Sequence, residues 1–146
     1  MTALRYLFAA GSVAFVVAIV IQVLLAGAAL FKMIDFLPHA ALGWLLPLVP
    51  VLLVPIALGA RADGDTAMLV VLLALDAFLQ PGLAESRHDS TVIAALHPVN
   101  ALLLFWLAIV VARRAVALAR EPIPEPIEHV ESAATPVDSP TRAGDE

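Results

Sequence analysis

Long uncharged apolar runs limit what this chain can fold into more than any other feature of its sequence. No Asp, Glu, Lys or Arg falls between Tyr6 and Phe31, between Phe36 and Leu58, or between Thr91 and Ala112. A bilayer core about 30 Å thick is crossed by about 17 to 25 apolar residues rising about 1.5 Å each. Four segments reach that length: Tyr6 to Phe31, Phe36 to Leu58, Ala67 to Leu83 and Thr91 to Ala112. Of the 146 residues, 62% are hydrophobic and 14% charged. Soluble domains hold about half apolar and about a quarter charged residues, so a water-soluble core could not absorb this excess. The first run also outlasts the apolar region of a signal peptide, roughly 7 to 15 residues. Ala26-Gly27-Ala28 is therefore read as part of a retained helix and not as a cleavage site.

The links Lys32 to Asp35, Gly59 to Thr66 and Ala84 to Ser90 are short and rich in charged and turn-forming residues. Such links join antiparallel neighbours, which predicts an all-α, up-down-up-down bundle of four transmembrane helices. Asp35 is a suitable helix cap and Pro38 falls in the first turn, where proline is tolerated. Pro47, Pro50 and Pro55 are expected to bend or locally unwind the second span, and Pro81 to kink the third, because proline removes a backbone donor.

Arg5, Arg61, Arg113, Arg114 and Arg120 fall at one end of such a bundle, and Lys32 and Arg87 at the other. Positive charge is retained in the cytoplasm, so both termini are expected inside the plasma (inner) membrane. Residues 1–120 form the membrane domain in this reading. Residues 121–146, with five prolines and seven carboxylates, form an acidic cytoplasmic tail too polar to offset its ordering entropy, and are expected to be disordered. That tail accounts for the net charge of −5. Nothing in the charge pattern points to nucleic acid; the partners expected are the lipid bilayer and either another membrane protein or a second copy of the chain. The absence of cysteine excludes disulfides, thiolate metal sites, iron–sulfur clusters and covalent c-type haem.

Polar side chains within a membrane are costly and usually face the bundle interior. Here they are Gln22, His39, Asp76, Gln80, His97 and Asn100. Alternate helices run in opposite directions, which brings all six into the outer half of the bilayer, with Asp76 nearest its centre. Asp76 and Gln80 are four residues apart and His97 and Asn100 three apart, so each pair shares a helix face. In the first span Ala10, Ala14, Ala18, Gln22 and Ala26 form a small-residue stripe of the kind that lets helices approach, and His97, Ala101, Ala108 and Ala112 form a similar one in the fourth.

Three functions compete for this cluster. Amides commonly tie membrane helices together for about 0.6 kcal/mol each, which makes the chain a structural or accessory subunit. His39 and His97 could instead supply the two axial nitrogens of a b-type haem trapped between facing helices. Asp76 near the bilayer centre could carry a proton or cation in a small transporter. No HExxH, GxSxG, P-loop or GxGxxG segment is present, Asp63-Gly64-Asp65 reads as a turn, and no metal-ligand set is visible beyond the histidine pair, so an enzyme is disfavoured.

The run Gln22-Val23-Leu24-Leu25-Ala26-Gly27, then His39 with Leu42-Gly43-Trp44, then Leu79-Gln80-Pro81, then Leu96-His97-Pro98-Val99-Asn100 resembles a family of small four-helix bacterial membrane proteins of unknown function, over about positions 6 to 114. The resemblance implies the four-helix topology and groups these residues in one constellation, with no activity attached. Two histidines in a four-helix bundle are also similar in outline to b561-type membrane cytochromes, an analogy at the level of fold.

Overall fold

The structure is a computed structural model that describes residues 2–122. All but the first two residues of the expected tail lie outside that range. Helix α1 spans Thr2–Leu30, α2 Leu37–Leu45, α3 Leu48–Gly59, α4 Gly64–Glu85, α5 Thr91–Ala94 and α6 Leu96–Arg120, with a 3-10 turn at Ser86–His88. No strand occurs among the described residues. Helices α2 and α3 together make one span, as do α5 and α6. Four spans, Thr2–Leu30, Leu37–Gly59, Gly64–His88 and Thr91–Arg120, are each long and apolar enough to cross a membrane. Their outward faces match that solvent: Leu24 (69%), Leu52 (63%), Leu75 (63%) and Leu102 (71%) are largely exposed. In water each such side chain would forgo about 1.5 to 3 kcal/mol of burial, which suits these faces to lipid. The fold is thus an all-α bundle of four helices, each long and apolar enough to span a membrane.

Helix α1 packs against α3 and α6, and α4 packs against the same two. The four spans therefore form a ring in chain order, with the first and third on one diagonal and the second and fourth on the other. One end of the bundle carries the start of α1, the 60–63 turn and the end of α6. The far end carries the 31–36 and 86–90 links.

Polar contacts close the first of these ends. Buried Arg5 donates from Nη1 to the Glu121 carbonyl at 3.2 Å, covering the end of α6. Asp63 caps α4, accepting from the Thr66 backbone N–H and hydroxyl, both at 2.8 Å. Those two bonds hold the Asp63 carboxyl below its ordinary range, with Arg114 at 3.8 Å adding to the effect. Helices α1 and α3 end alike: Lys32 (φ 61°) and Arg61 (φ 59°) take the left-handed position usually given to glycine. Met33 N–H then reaches back to the Ala28 carbonyl and Ala62 N–H to that of Ala57, the six-to-one bond of a Schellman motif. Each cation thereby sits beside the negative end of a helix dipole.

Several sequence expectations are corrected. The second span breaks once, at Leu46–Pro47, while Pro50 and Pro55 lie within α3. Helix α4 continues past Pro81, as the third span needs in order to reach membrane-crossing length. Proline removes a single donor, and neighbouring helices hold the rest of the ladder in place. Helices α1 and α6 extend past their apolar runs, to Thr2 and Arg120, because hydropathy marks the lipid boundary and not the helix end. The alanine stripe of α1 faces the interior only in its second half: Ala10 and Ala14 are exposed where Phe8, Ser12, Phe15 and Ile19 are buried, whereas Ala18, Gln22 and Ala26 are half-buried and Gln22 meets the second span as expected. Residues spaced strictly by four drift about 40° per step around a helix of 3.6 residues per turn, so only alternating steps of four and three stay on one face.

Burial also reveals an internal repeat. His97 follows His39 by 58 positions, and Gln80 follows Gln22 by the same 58. Under that offset four of the seven buried residues of the first span, Phe8, Ser12, Phe15 and Ile19, fall on Thr66, Val70, Leu73 and Ala77, all buried in the third, while Arg5, Ala9 and Ala29 fall on residues that are not. Leu46, Pro50, Leu53 and Ala57 fall on Leu104, Ala108, Val111 and Ala115, again all buried. With equivalent neighbours and parallel directions, the two helix pairs are related by an approximate two-fold rotation about the bundle axis.

Candidate functional site

Between the four spans lies a cavity of about 380 Å³, within the range of about 300 to 1,000 Å³ usual for small-molecule and cofactor sites. Gln22, His39, Gln80 and His97, one from each span, line its middle. Phe15, Ile19, Leu46 and Leu104 form the floor toward the termini, and Phe36, Ala84, Glu85, Arg87 and Ala94 the mouth at the far end.

Each histidine is held from behind by the preceding span. The Nδ1–H of His39 donates to the Gln22 carbonyl at 3.1 Å, and that of His97 to the Gln80 carbonyl at 3.1 Å. A carbonyl can only accept, so the proton of each neutral ring is on Nδ1 and Nε2 carries a free lone pair. Metal-binding imidazoles are commonly fixed in this way, tautomer and ring orientation being set by the second nitrogen. The two rings lie on opposite corners of the bundle with centroids 6.3 Å apart and planes at 87°. Phe36 meets His39 edge-on at 6.3 Å.

The amides behave differently. Gln22 Nε2 donates to the His39 carbonyl at 3.0 Å, making the contact between the first two spans reciprocal. Gly43 permits this, since a Cβ there would come within 2.9 Å of Gln22 Nε2. Gln80 is buried with neither amide atom partnered, and Gln22 Oε1 is likewise unpartnered. Buried amides usually find partners, and these three atoms find none among the described residues. Asp76 and Asn100 lie one turn nearer the termini, with Asn100 Nδ2 donating to Asp76 Oδ1 at 2.8 Å and Asp76 Oδ2 unpartnered. Neither lines the cavity. Trp44 lies at the cavity edge, yet stays 60% exposed and does not plug it.

Among the described residues no group of three or more His, Asp or Glu is placed to hold a metal ion. The cavity itself holds two imidazoles, His39 and His97. Reading single residues misses Gly43, Arg87 and the repeat. The offset common to the Gln and His pairs is the signal that would have found the last.

Comparison with curated proteins and with solved structures gives no significant match, so the outline likeness to b561-type cytochromes gains no support there. The resemblance to a family without assigned activity does gain it. The model of a family described as a family of unknown function (DUF6220) matches residues 22–90, from Gln22 through His39, Asp76 and Gln80 to the end of the third link.

Proposed function

We propose that this membrane protein holds a b-type haem between His39 and His97 and serves as an electron carrier in the plasma membrane. One observation carries the reading. A bond of about 2 Å from each imidazole nitrogen to a shared metal places trans ring centres about 6 Å apart, and the two rings stand 6.3 Å apart across a cavity. Bound there, haem would supply reversible one-electron transfer at its iron. His39 and His97 would hold it through Nε2, each kept in that tautomer by its carbonyl partner. The apolar floor would keep water from the site.

A purely structural role for the cluster accounts for the Gln22–His39 and Asp76–Asn100 bonds but leaves the cavity and the unpartnered Gln80 amide without a purpose. A transport role for Asp76 is less favoured, because its carboxyl is engaged by Asn100 and lies off the cavity. The test is an absorption spectrum of the protein purified from cells supplied with haem. A Soret band with a low-spin bis-imidazole signature is expected, lost in both His39→Ala and His97→Ala. No Soret band, or unchanged haem content in the two variants, would return the chain to the structural or accessory class.

The same reading places both termini in the cytoplasm, supported by the five arginines of the terminal end against Lys32 and Arg87 at the other. A reporter active only in the cytoplasm, fused after Glu146, should be active; silence at full expression would reverse the orientation.

A further inference from the structure

Resting on the haem reading, we infer that the pocket accepts its ligand in one orientation, with the ligand's carboxylate edge at the far end and Arg87 as the cation that receives it. The cavity is graded along the bundle axis. Its floor is Phe15 (1% exposed), Ile19 (4%), Leu46 (7%) and Leu104 (6%), which offer no donor to a charge. An ionised carboxylate lodged there would be desolvated and unpaired, which is strongly unfavourable. Its mouth holds Arg87, the single Lys or Arg among the residues that line the cavity.

Arg87 is free for this task. It forms no ion pair with any described residue, while Glu85, the carboxylate at the same mouth, lies 3.7 Å from His88. The repeat underlines the point. The 58-residue offset makes the two histidines equivalent, but it pairs Arg87 with Ala29, which is buried and apolar. Symmetry is kept where two like ligands are needed and dropped at the cation. A b-type haem is a largely apolar disc with both carboxylates on one edge, so a site with an apolar floor and a single guanidinium at its mouth distinguishes that edge from the opposite one. Guanidinium also suits the role geometrically, because its fork matches a carboxylate in a bidentate pair.

The full-length chain, purified after haem-limited expression, would be titrated with haem b and with haem b dimethyl ester, which lacks the ionised carboxylates. The unmodified chain should bind haem b about three- to tenfold tighter than the ester, as expected for a partly exposed charge-assisted pair. Arg87→Gln should bind both at the affinity of the ester, and Arg87→Lys should recover part of the preference. The loaded Arg87→Gln variant should also show a lower reduction potential, since a positive charge near the iron has been removed. Equal affinity of the unmodified chain for haem b and ester, or a preference that survives in Arg87→Gln, would overturn the role of Arg87 while leaving the histidine site intact. Failure of either porphyrin to give a Soret band would overturn the haem reading itself and this inference with it.

Discussion

The two halves of the chain bury several of the same positions with different side chains. Phe8 in the first half corresponds to Thr66 in the second, Ser12 to Val70, and Ile19 to Ala77. At these three positions a large residue answers a small one, whereas Phe15 and Leu73 or Leu46 and Leu104 are large in both halves. At the cavity Gln22 and Gln80 are identical, as are His39 and His97. A polar pair also departs from the correspondence: Asp76 and Asn100 stand where the first half has Ala18 and Leu42.

Three substitutions probe this comparison. The largest effect is expected from Phe8→Ala, which empties a fully buried position whose counterpart, Thr66, is too small to fill the space. A loss of about 3 to 5 kcal/mol in reversible detergent unfolding is expected for such a void, against almost none for Leu24→Ala on the lipid face. Equal losses would show that the buried stripe has been assigned to the wrong side. Next is Asn100→Leu, which installs the residue of the first half and strips Asp76 of its donor; a cost of about 1 to 3 kcal/mol is expected. Adding Asp76→Ala completes the correspondence with Ala18 and Leu42, and the double variant should return to within about 1 kcal/mol of the parent if uncompensated polarity is the cause. A double variant as unstable as the single would break the equivalence of the halves. The smallest effect belongs to Gly43→Ala, whose counterpart Ala101 already carries a Cβ. The added methyl must displace the Gln22 amide from the His39 carbonyl, a bond worth about 0.6 kcal/mol in a membrane. A melting temperature unchanged from the parent would mean that Gln22 has another partner.

The four spans are legible in the sequence because lipid tolerates no charge over so many residues, and Tyr6 to Phe31 or Thr91 to Ala112 leave no other reading. Helix ends are less so. Thr2 to Arg5 and Arg113 to Arg120 are helical although polar, since a helix ends where its capping groups act and not where the bilayer does. The inward face of α1 is misread in its first half because alanines every fourth residue look like a stripe on paper, although the helix turns them away from one another. The polar residues of the interior stand out by type, but their pairing does not. His39 and His97 are held by backbone carbonyls, and every residue has one, so no spacing rule singles out those of Gln22 and Gln80. The repeat is obscured for a related reason: in a lipid-facing or lipid-like interior, Leu, Val, Ala and Ile substitute freely, and the identities that survive are few and scattered.

The diagonal placement of the histidines has a consequence for biogenesis. Each helix hairpin brings one imidazole, and the second arrives only with position 97, after three spans have already entered the membrane. A nascent chain that ends in the third link has half a pocket and no means to close it. A guest held by both histidines could be clasped only when the two hairpins have docked.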